Sequence, residues 1–382
     1  MQRWGSLIAV CVTIAVLALR APETFALPQF WAEDGALMYA GMKNVGPSSL
    51  FDIHAGTLHI IPRLISWIAC AFPAGSAPAI HAAGAVAVTC WATATIAQVA
   101  NHHALAFAIL FMLVPGDALI FGSATHIQWI MAPALAAIAA SPAPSTEGRR
   151  VNQVAFVIAA GFTGPVGALS LPLWALRLWH DRDRFSQGLS GIGILIGVAG
   201  LLISTFAYQK YQGPGFDLHT AGVMAYKVFG TLANGTAFQT GLISIVAAVT
   251  LACVAVWLVL ASPHRQFFVA VSIFAGAMMM AGLMRMSPLK AYFDHTYIGD
   301  RYFFFPRLVL IWIVYAAIAD GKELARAAGL VVAAVIAVNY WHWKRFPQAD
   351  LKWSAEALKI DHGEAVSIPI HPPGWKVNIN AR

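Results

Sequence analysis

Residues 189–208 read LSGIGILIGVAGLLISTFAY, a run of 20 residues without a charged side chain. A helix of that length rises about 30 Å, which is the thickness of the hydrocarbon core of a bilayer. Transmembrane strands are shorter and alternate apolar with polar side chains, and this run does not alternate. The stretch therefore predicts a membrane-spanning helix, and comparable runs along the chain predict a bundle of such helices.

The composition supports a membrane protein over a soluble one. The chain is 59% hydrophobic and 11% charged, whereas a soluble domain carries about 25% charged residues. Its net charge is +7, but the basic residues lie mostly between apolar runs, where they anchor helices and set topology. Without a Lys/Arg run interleaved with aromatic residues, nucleic acid is not an expected partner. Membrane lipids are the expected partners.

We expect an all-α, polytopic transmembrane helical bundle of about 10–12 segments. Some of these segments are short or re-entrant, because Pro and Gly interrupt them. Thr163-Gly164-Pro165 interrupts one run, and its flanking loops both look cytoplasmic, so a hairpin tip is expected there. The number of times that the stretch 101–140 crosses the membrane is not settled by the sequence either. The expected spans are 4–20, 57–73, 78–100, 104–121, 124–140, 152–176, 189–208, 222–240, 241–261, 266–284, 303–319 and 324–341.

The positive-inside rule orients the bundle. Basic connections at 147–150, 177–184, 262–266 and 320–326 are expected on the cytoplasmic side. The other face then carries the first outer loop at 21–56 and the segments 209–221 and 285–302. Two regions are expected, a membrane domain at 1–341 and a small extramembrane tail at 342–382. The number of crossings places the tail outside, whereas Lys344-Arg345 directly after the last helix favours the inside.

The first outer loop contains Trp31-Ala32-Glu33-Asp34-Gly35, with two adjacent acids in a chain that has only 17. An ionised carboxylate close to hydrocarbon is costly and is usually kept for a site. We expect Asp34 to act as a general base, with Glu33 assisting or orienting the acceptor. The alternative is that these acids cap the start of a helix.

Further polar residues make up the rest of the expected site. Arg301 precedes an apolar run at 303–305, which places a planar guanidinium at the depth of lipid phosphates. The alternative for Arg301 is a role in anchoring the helix at the interface. Arg307, on the same helix, is expected to line the same cavity. The remaining residues expected to bind substrate are Trp31, His54, His59, Arg63, Asp117, His126, Gln128 and Tyr302.

Several kinds of site have no sequence support. The chain lacks a P-loop, a Rossmann fingerprint and a Gly-x-Ser-x-Gly elbow. His102 and His103 are adjacent, and His54 and His59 are five apart, so neither pair has the spacing of a zinc site. No metal site is predicted. Glu33, Asp34 and Asp117 offer hard oxygen ligands, so the sequence leaves open whether a divalent cation assists.

The chain resembles the GT-C class of membrane glycosyltransferases, and within it a little-studied bacterial branch. The resemblance lies at Trp31 to Gly35, His59-Ile60-Ile61-Pro62-Arg63, Gly299-Asp300-Arg301-Tyr302-Phe303 and Pro372-Pro373-Gly374-Trp375. It implies a GT-C bundle whose first outer loop carries the catalytic carboxylate, and a sugar donor linked to polyprenyl phosphate. It covers the whole length in outline, but many members are larger and carry a bulky outer domain.

The resemblance implies transfer of a sugar to a glycan or lipid acceptor at the periplasmic face of the bacterial inner membrane, in assembly of the cell envelope. Arg301, with Arg63 or His59, would stabilise the leaving lipid phosphate. One alternative is a transporter or flippase for a lipid-linked or small anionic substrate, since the interruptions near Pro115 and Thr163 fit discontinuous helices. A second alternative is a non-catalytic membrane scaffold.

Overall fold

The computed structural model describes residues 4–116, 120–207, 218–234, 242–286, 299–338, 345 and 348–381. Helices dominate this part of the chain, as the apolar runs predict. They are α1 (Gly5–Arg20), α2 (Glu23–Ala26), α3 (Ala40–Val45), α4 (Ile60–Ala69), α5 (Ala77–Gln98), α6 (Ala104–Met112), α7 (Ile127–Ala139), α8 (Glu147–Gly161), α9 (Val166–Leu169), α10 (Leu171–His180), α11 (Arg184–Phe206), α12 (Leu218–Ala225), α13 (Thr231–Asn234), α14 (Leu242–Ala261), α15 (Arg265–Met286), α16 (Arg301–Asp320), α17 (Glu323–Val338) and α18 (Trp353–Asp361). Two π-helical segments, Asp34–Tyr39 and Tyr226–Gly230, and three 3-10 turns, Pro47–Phe51, Ala74–Ser76 and Ala124–His126, complete them.

Four helices in the described part of the chain are long and apolar enough to cross a membrane. They are Ala74–Gln98, Arg184–Phe206, Arg265–Gly282 and Arg301–Asp320. The expected span at 57–73 is wrong, because α4 has only 10 residues and rises about 15 Å. Helix α4 is amphipathic instead, with Arg63 and Ser66 buried while Trp67 and Ile68 are exposed.

The interruption at Thr163 to Pro165 is a hairpin tip, as predicted. Helix α8 ends at Gly161, and the chain returns through α9 and α10. Arg150 on α8 lies over the ring of Phe185 at 5.3 Å. Arg177 on α10 donates to Ser186 Oγ over 3.1 Å. Both arms of the hairpin therefore meet the start of α11.

Helices α6 and α7 form a second hairpin, which settles how the chain passes through 101–140. Arg20, at the end of α1, donates hydrogen bonds to the carbonyl oxygens of Met112, Val114 and Gly116. These bonds satisfy carbonyl groups that the end of α6 leaves free. The far end of α7 returns to α10, where Arg177 donates to the carbonyl oxygen of Ile138. The chain thus enters and leaves this hairpin at one end of the bundle.

The basic connections gather at that end, which we call the inner end. Residues 139–142, Arg177, Asp181 and Arg265 line one cavity there, and His264 contacts Asp320. The first outer loop and the 163–165 tip lie at the opposite, outer end, where His59 pairs with Thr163 and the amide of Gly164 donates to the carbonyl of Leu58.

The tail departs from the all-α prediction. It contains α18 and an antiparallel hairpin of β1 (Val366–Ile370) and β2 (Trp375–Ile379), paired from Val366↔Ile379 to Ile370↔Trp375. Alternate side chains on both strands are buried, as the period of a strand requires. Trp353 Nε1 donates to the carbonyl oxygen of Ala74 over 2.8 Å. The amide of Ala74 donates to the carboxylate of Asp361. The tail therefore packs at the outer end, beside the first outer loop.

Candidate active site at the outer end

Asp34 joins the first outer loop to the start of α7. Its side chain is 2% exposed. Oδ1 accepts from the amide of Thr125 over 2.7 Å, and Oδ2 accepts from the amide of Ala124 over 3.1 Å. These amides belong to the turn that precedes α7, so the capping alternative holds for Asp34. It caps a helix that is distant in sequence.

Burial of Asp34 has an electrostatic cost. Desolvation raises the pKa of its carboxyl to about 6, against the opposing effect of hydrogen bonds from Thr125 and Ser123. The neighbouring charge of Glu33 raises the pKa further. Buried carboxylates with a pKa shifted in this way are enriched at functional sites.

Trp31 and Gly35 hold the tail against the loop. The ring of Trp31 stacks on that of His371, with 6.5 Å between centroids and 12° between planes. A Cβ atom on Gly35 would lie 2.7 Å from Val377 Cγ2 and 2.9 Å from Ile370 Cδ1. Glycine is needed here because the hairpin approaches the loop so closely. Trp31, expected to contact substrate, packs on the tail and is absent from the wall of the cavity described next.

Glu33 lines a cavity of about 190 Å³ at the outer end. This cavity unites residues from six parts of the sequence, among them seven of the residues expected to act on substrate. Those seven are Glu33, His54, His59, His126, Gln128, Arg301 and Tyr302. The rest of its wall consists of Met38, Ala55, Thr125, Trp129, Pro165, Ala281 and Gly282. These residues were not among those expected to bind substrate, although Trp129 directly follows Gln128 in the sequence.

Two neighbouring residues of the cavity wall have buried polar atoms. Gln128 Oε1 and Trp129 Nε1 are buried and have no hydrogen-bond partner within the described ranges. Leaving such a group unsatisfied costs about 1–3 kcal/mol. Neither atom is accessible to the cavity, and Gln128 Oε1 packs against Gly164.

Arg301 is held at the cavity by aromatic rings. Its guanidinium lies 4.9 Å from the centroid of the Tyr302 ring and donates to Tyr302 Oη over 3.2 Å. The ring of Tyr302 in turn meets Trp129 edge to face, with 4.9 Å between centroids. Arg301 lines the cavity, and no carboxylate in the described part of the chain forms an ion pair with it.

Other expected residues lie elsewhere. Arg63 is buried and its Nη1 lies 3.6 Å from Asp52 Oδ2, outside the cavity wall. The expectation for Arg307 is wrong, because its guanidinium pairs with Asp300 at 2.7 Å and donates to the carbonyl of Lys227. Arg307 lies six positions after Arg301, which turns it to another face of the helix.

Two of the three acids considered for a cation are described, and their surroundings differ. Asp117 lies outside the described residues. Both oxygens of Asp34 accept backbone amides. Of the two described acids, only Glu33 lines the cavity.

No family model matches this chain, and no curated protein or solved structure matches it.

Proposed function

We propose that the chain is a membrane glycosyltransferase that moves a sugar from a polyprenyl-phosphate donor to a hydroxyl group of a glycan or lipid acceptor. One observation carries the proposal: a cavity with a carboxylate and an arginine lies beside an apolar cavity, on the same pair of helices. Such a pair of cavities suits a lipid with an anionic head group.

The apolar cavity has a volume of about 590 Å³ and lies among α14, α15 and α16. Helix α15 contributes Gly276 and Met279 to it and contributes Gly282 to the polar cavity. Helix α16 contributes Pro306 to the apolar cavity and Arg301 to the polar one. An isoprenoid chain in the apolar cavity would be stabilised by about 25 cal/mol per Å² of buried apolar surface.

Glu33 is the better candidate for the general base. It lines the cavity, whereas the oxygens of Asp34 are taken by two backbone amides. Glu33 accepts the proton of the acceptor hydroxyl while the hydroxyl oxygen attacks the anomeric carbon. The bond from that carbon to the phosphate oxygen breaks, and its electron pair leaves with the lipid phosphate. Arg301 stabilises the charge that develops there.

Asp34 and the aromatic residues have positioning roles in this scheme. By holding the amides of Ala124 and Thr125, Asp34 sets where His126 and Gln128 stand relative to Glu33. Gln128 and Trp129 form part of the wall against which the sugar would lie. A cavity of about 190 Å³ is smaller than typical ligand pockets of about 300–1,000 Å³, so it suits a sugar and its phosphate while the lipid lies outside.

We place the protein in the bacterial inner membrane, with the outer end facing the periplasm. The basic connections at the inner end support this orientation under the positive-inside rule. A donor carried by a lipid also accounts for function without a nucleotide-binding motif.

The test measures transfer of labelled sugar from a panel of polyprenyl-phosphate donors in membranes. Glu33→Gln should lower the rate on the order of 100-fold or more, as expected for loss of a general base. Glu356→Gln is the matched control, because Glu356 is exposed on the tail at the same end. Equal rates for native protein and Glu33→Gln would reject the base.

A second readout separates the enzyme from a flippase. Native protein in proteoliposomes is supplied with a labelled lipid-linked sugar and an acceptor. Formation of a new glycosidic bond supports the transferase. Movement of intact lipid across the bilayer without any new bond, across the whole donor panel, would overturn the proposal in favour of transport.

A further inference from the structure

Three histidines and an aspartate converge at the inner end. His102 and His103 lie between α5 and α6, His264 lies between α14 and α15, and Asp320 is the last residue of α16. The Nε2 atoms of the three rings lie 3.1, 2.5 and 3.0 Å from Asp320 Oδ2. The four potential ligand atoms all lie within 4.8 Å of one another.

We propose that this cluster binds a divalent transition-metal ion of the Zn²⁺ type, with three imidazole nitrogens and one carboxylate oxygen as ligands. Zn²⁺ favours four tetrahedral ligands from His, Cys, Asp and Glu, at about 2.0–2.2 Å for nitrogen and oxygen. Neighbouring ligand atoms in such a tetrahedron are about 3.4 Å apart. The cluster is close to that size without an ion.

A hydrogen-bonded hub on Asp320 explains the arrangement less well. Each carboxylate oxygen offers two lone-pair sites, yet three ring nitrogens surround Oδ2. At least one of the three contacts therefore lacks a lone pair to accept it. A metal ion resolves the mismatch, because each neutral ring then directs its own lone pair at the ion.

The surroundings suit a metal site that is fixed on one side and open on the other. The side chain of His103 is 6% exposed, and its ring packs edge-on against Tyr315 at 5.3 Å. His102 is 61% exposed and Asp320 is 27% exposed. Packing therefore holds part of the ligand set in place while an ion can enter from water.

A bound ion would tie together two connections between helices and the end of a further helix. The connections are 99–103 and 262–264, and the end of α16 supplies Asp320, so the three segments are remote in sequence. Binding to the folded state alone stabilises it by mass action. The site lies at the end opposite the Glu33 cavity, and its test reads metal binding, so its outcome is independent of glycosyl transfer.

The experiment titrates ZnCl₂ into full-length, chelator-stripped protein in detergent. The protein carries an affinity tag without histidine, and a chromophoric chelator competes for the metal. Native protein should bind one equivalent per chain and unfold at a higher temperature when loaded. His264→Ala and Asp320→Ala should each weaken binding by more than about 100-fold, the upper range for losing a mere outer-shell partner.

Two variants keep the test decisive. His102→Ala alters an exposed side chain, so it folds, and it should still weaken binding. His362→Ala is the matched control, since this histidine is exposed on the tail at the other end. Absence of saturable binding by native protein, or equal affinity in His102→Ala and native protein, would overturn the proposal.

Discussion

The amide of Thr125 donates to Asp34 Oδ1 over 2.7 Å, across 91 positions of sequence. This bond, with its neighbour from Ala124, ties the acidic stretch of the first outer loop to the start of α7. Because His126 and Gln128 follow at once, the bond sets the geometry between these residues and Glu33. The two adjacent acids thus have different positions, because Glu33 lines the cavity and Asp34 is buried outside its wall.

Replacements of Asp34 should separate its hydrogen bonds from its charge. Asp34→Asn keeps one acceptor oxygen, whereas Asp34→Ala keeps none. We expect Asp34→Ala to be less stable than Asp34→Asn by about 1–3 kcal/mol, the cost of one more unsatisfied buried amide. Thermal unfolding in a single detergent measures the difference, and equal stability of the two variants would argue against the capping role. Both variants should lose transfer, because the turn at 124–126 shifts.

The stability of the native protein should depend on pH through Asp34. The pKa of its carboxyl is about 6 in the folded chain and about 3.9 when unfolded. Between these values the folded state holds more protons than the unfolded state, so stability falls as pH rises. The whole effect is about 3 kcal/mol, present below about pH 4 and lost above about pH 6.

Asp34→Asn removes this group and is the control for the pH experiment. Unfolding of both proteins is followed between pH 4.5 and pH 7.5. The stability of the variant relative to the native protein should rise across that interval, because only the native protein becomes less stable as its carboxyl loses the proton. A relative stability that stays flat or falls would contradict a raised pKa at Asp34.

Substitution of Arg301 should affect use of the donor more than folding. Arg301→Ala should raise KM for the lipid-phosphate donor about tenfold or more, as expected for loss of a hydrogen bond to a charged group. Arg301→Lys keeps the charge without the planar fork of donors, so its KM for the donor should lie between that of the native protein and that of Arg301→Ala. Arg326→Ala, an exposed arginine at the inner end, serves as the control. Unchanged kinetics in Arg301→Ala would remove it from the phosphate site.

Gly35 should be intolerant of even a methyl group. In Gly35→Ala the new Cβ would meet Val377 and Ile370 at under 3 Å, and overpacking of this kind costs about 1–3 kcal/mol. We expect the tail to loosen and limited proteolysis to cut it faster. Gly148→Ala is the matched control, because nothing lies within 4 Å of a Cβ placed there. Equal cleavage of the two variants would show that the tail does not depend on this contact.

Patterns that act locally were predictable. The interruption at Thr163 to Pro165 indicated a turn because Pro lacks a backbone donor and Gly tolerates unusual backbone angles. The span at 57–73 was wrong because mean hydropathy does not show which face of a helix is buried. Arg63 and Ser66 are inside, and the helix is too short to cross. The strands of the tail were missed because two five-residue strands give little pattern to read.

Contacts between distant segments were predictable only in part. Arg301 and Glu33 were assigned to one site, and both line the outer cavity. Which of the adjacent acids lines that cavity was not predicted, because side-chain direction depends on how the loop packs. The histidine cluster was overlooked, since the spacing of His102 and His103 carries no sign of His264 or Asp320.

By itself, the sequence determined the helical character of this chain and the end of the bundle to which each charged connection belongs. Both follow from local free energies, since apolar runs must satisfy their backbone internally and charged connections avoid hydrocarbon. Only the tertiary structure decided that Glu33 enters the cavity while Asp34 is buried, and that four ligand atoms meet around Asp320. Those outcomes depend on distances of a few ångströms between segments far apart in sequence, which packing of the whole bundle establishes.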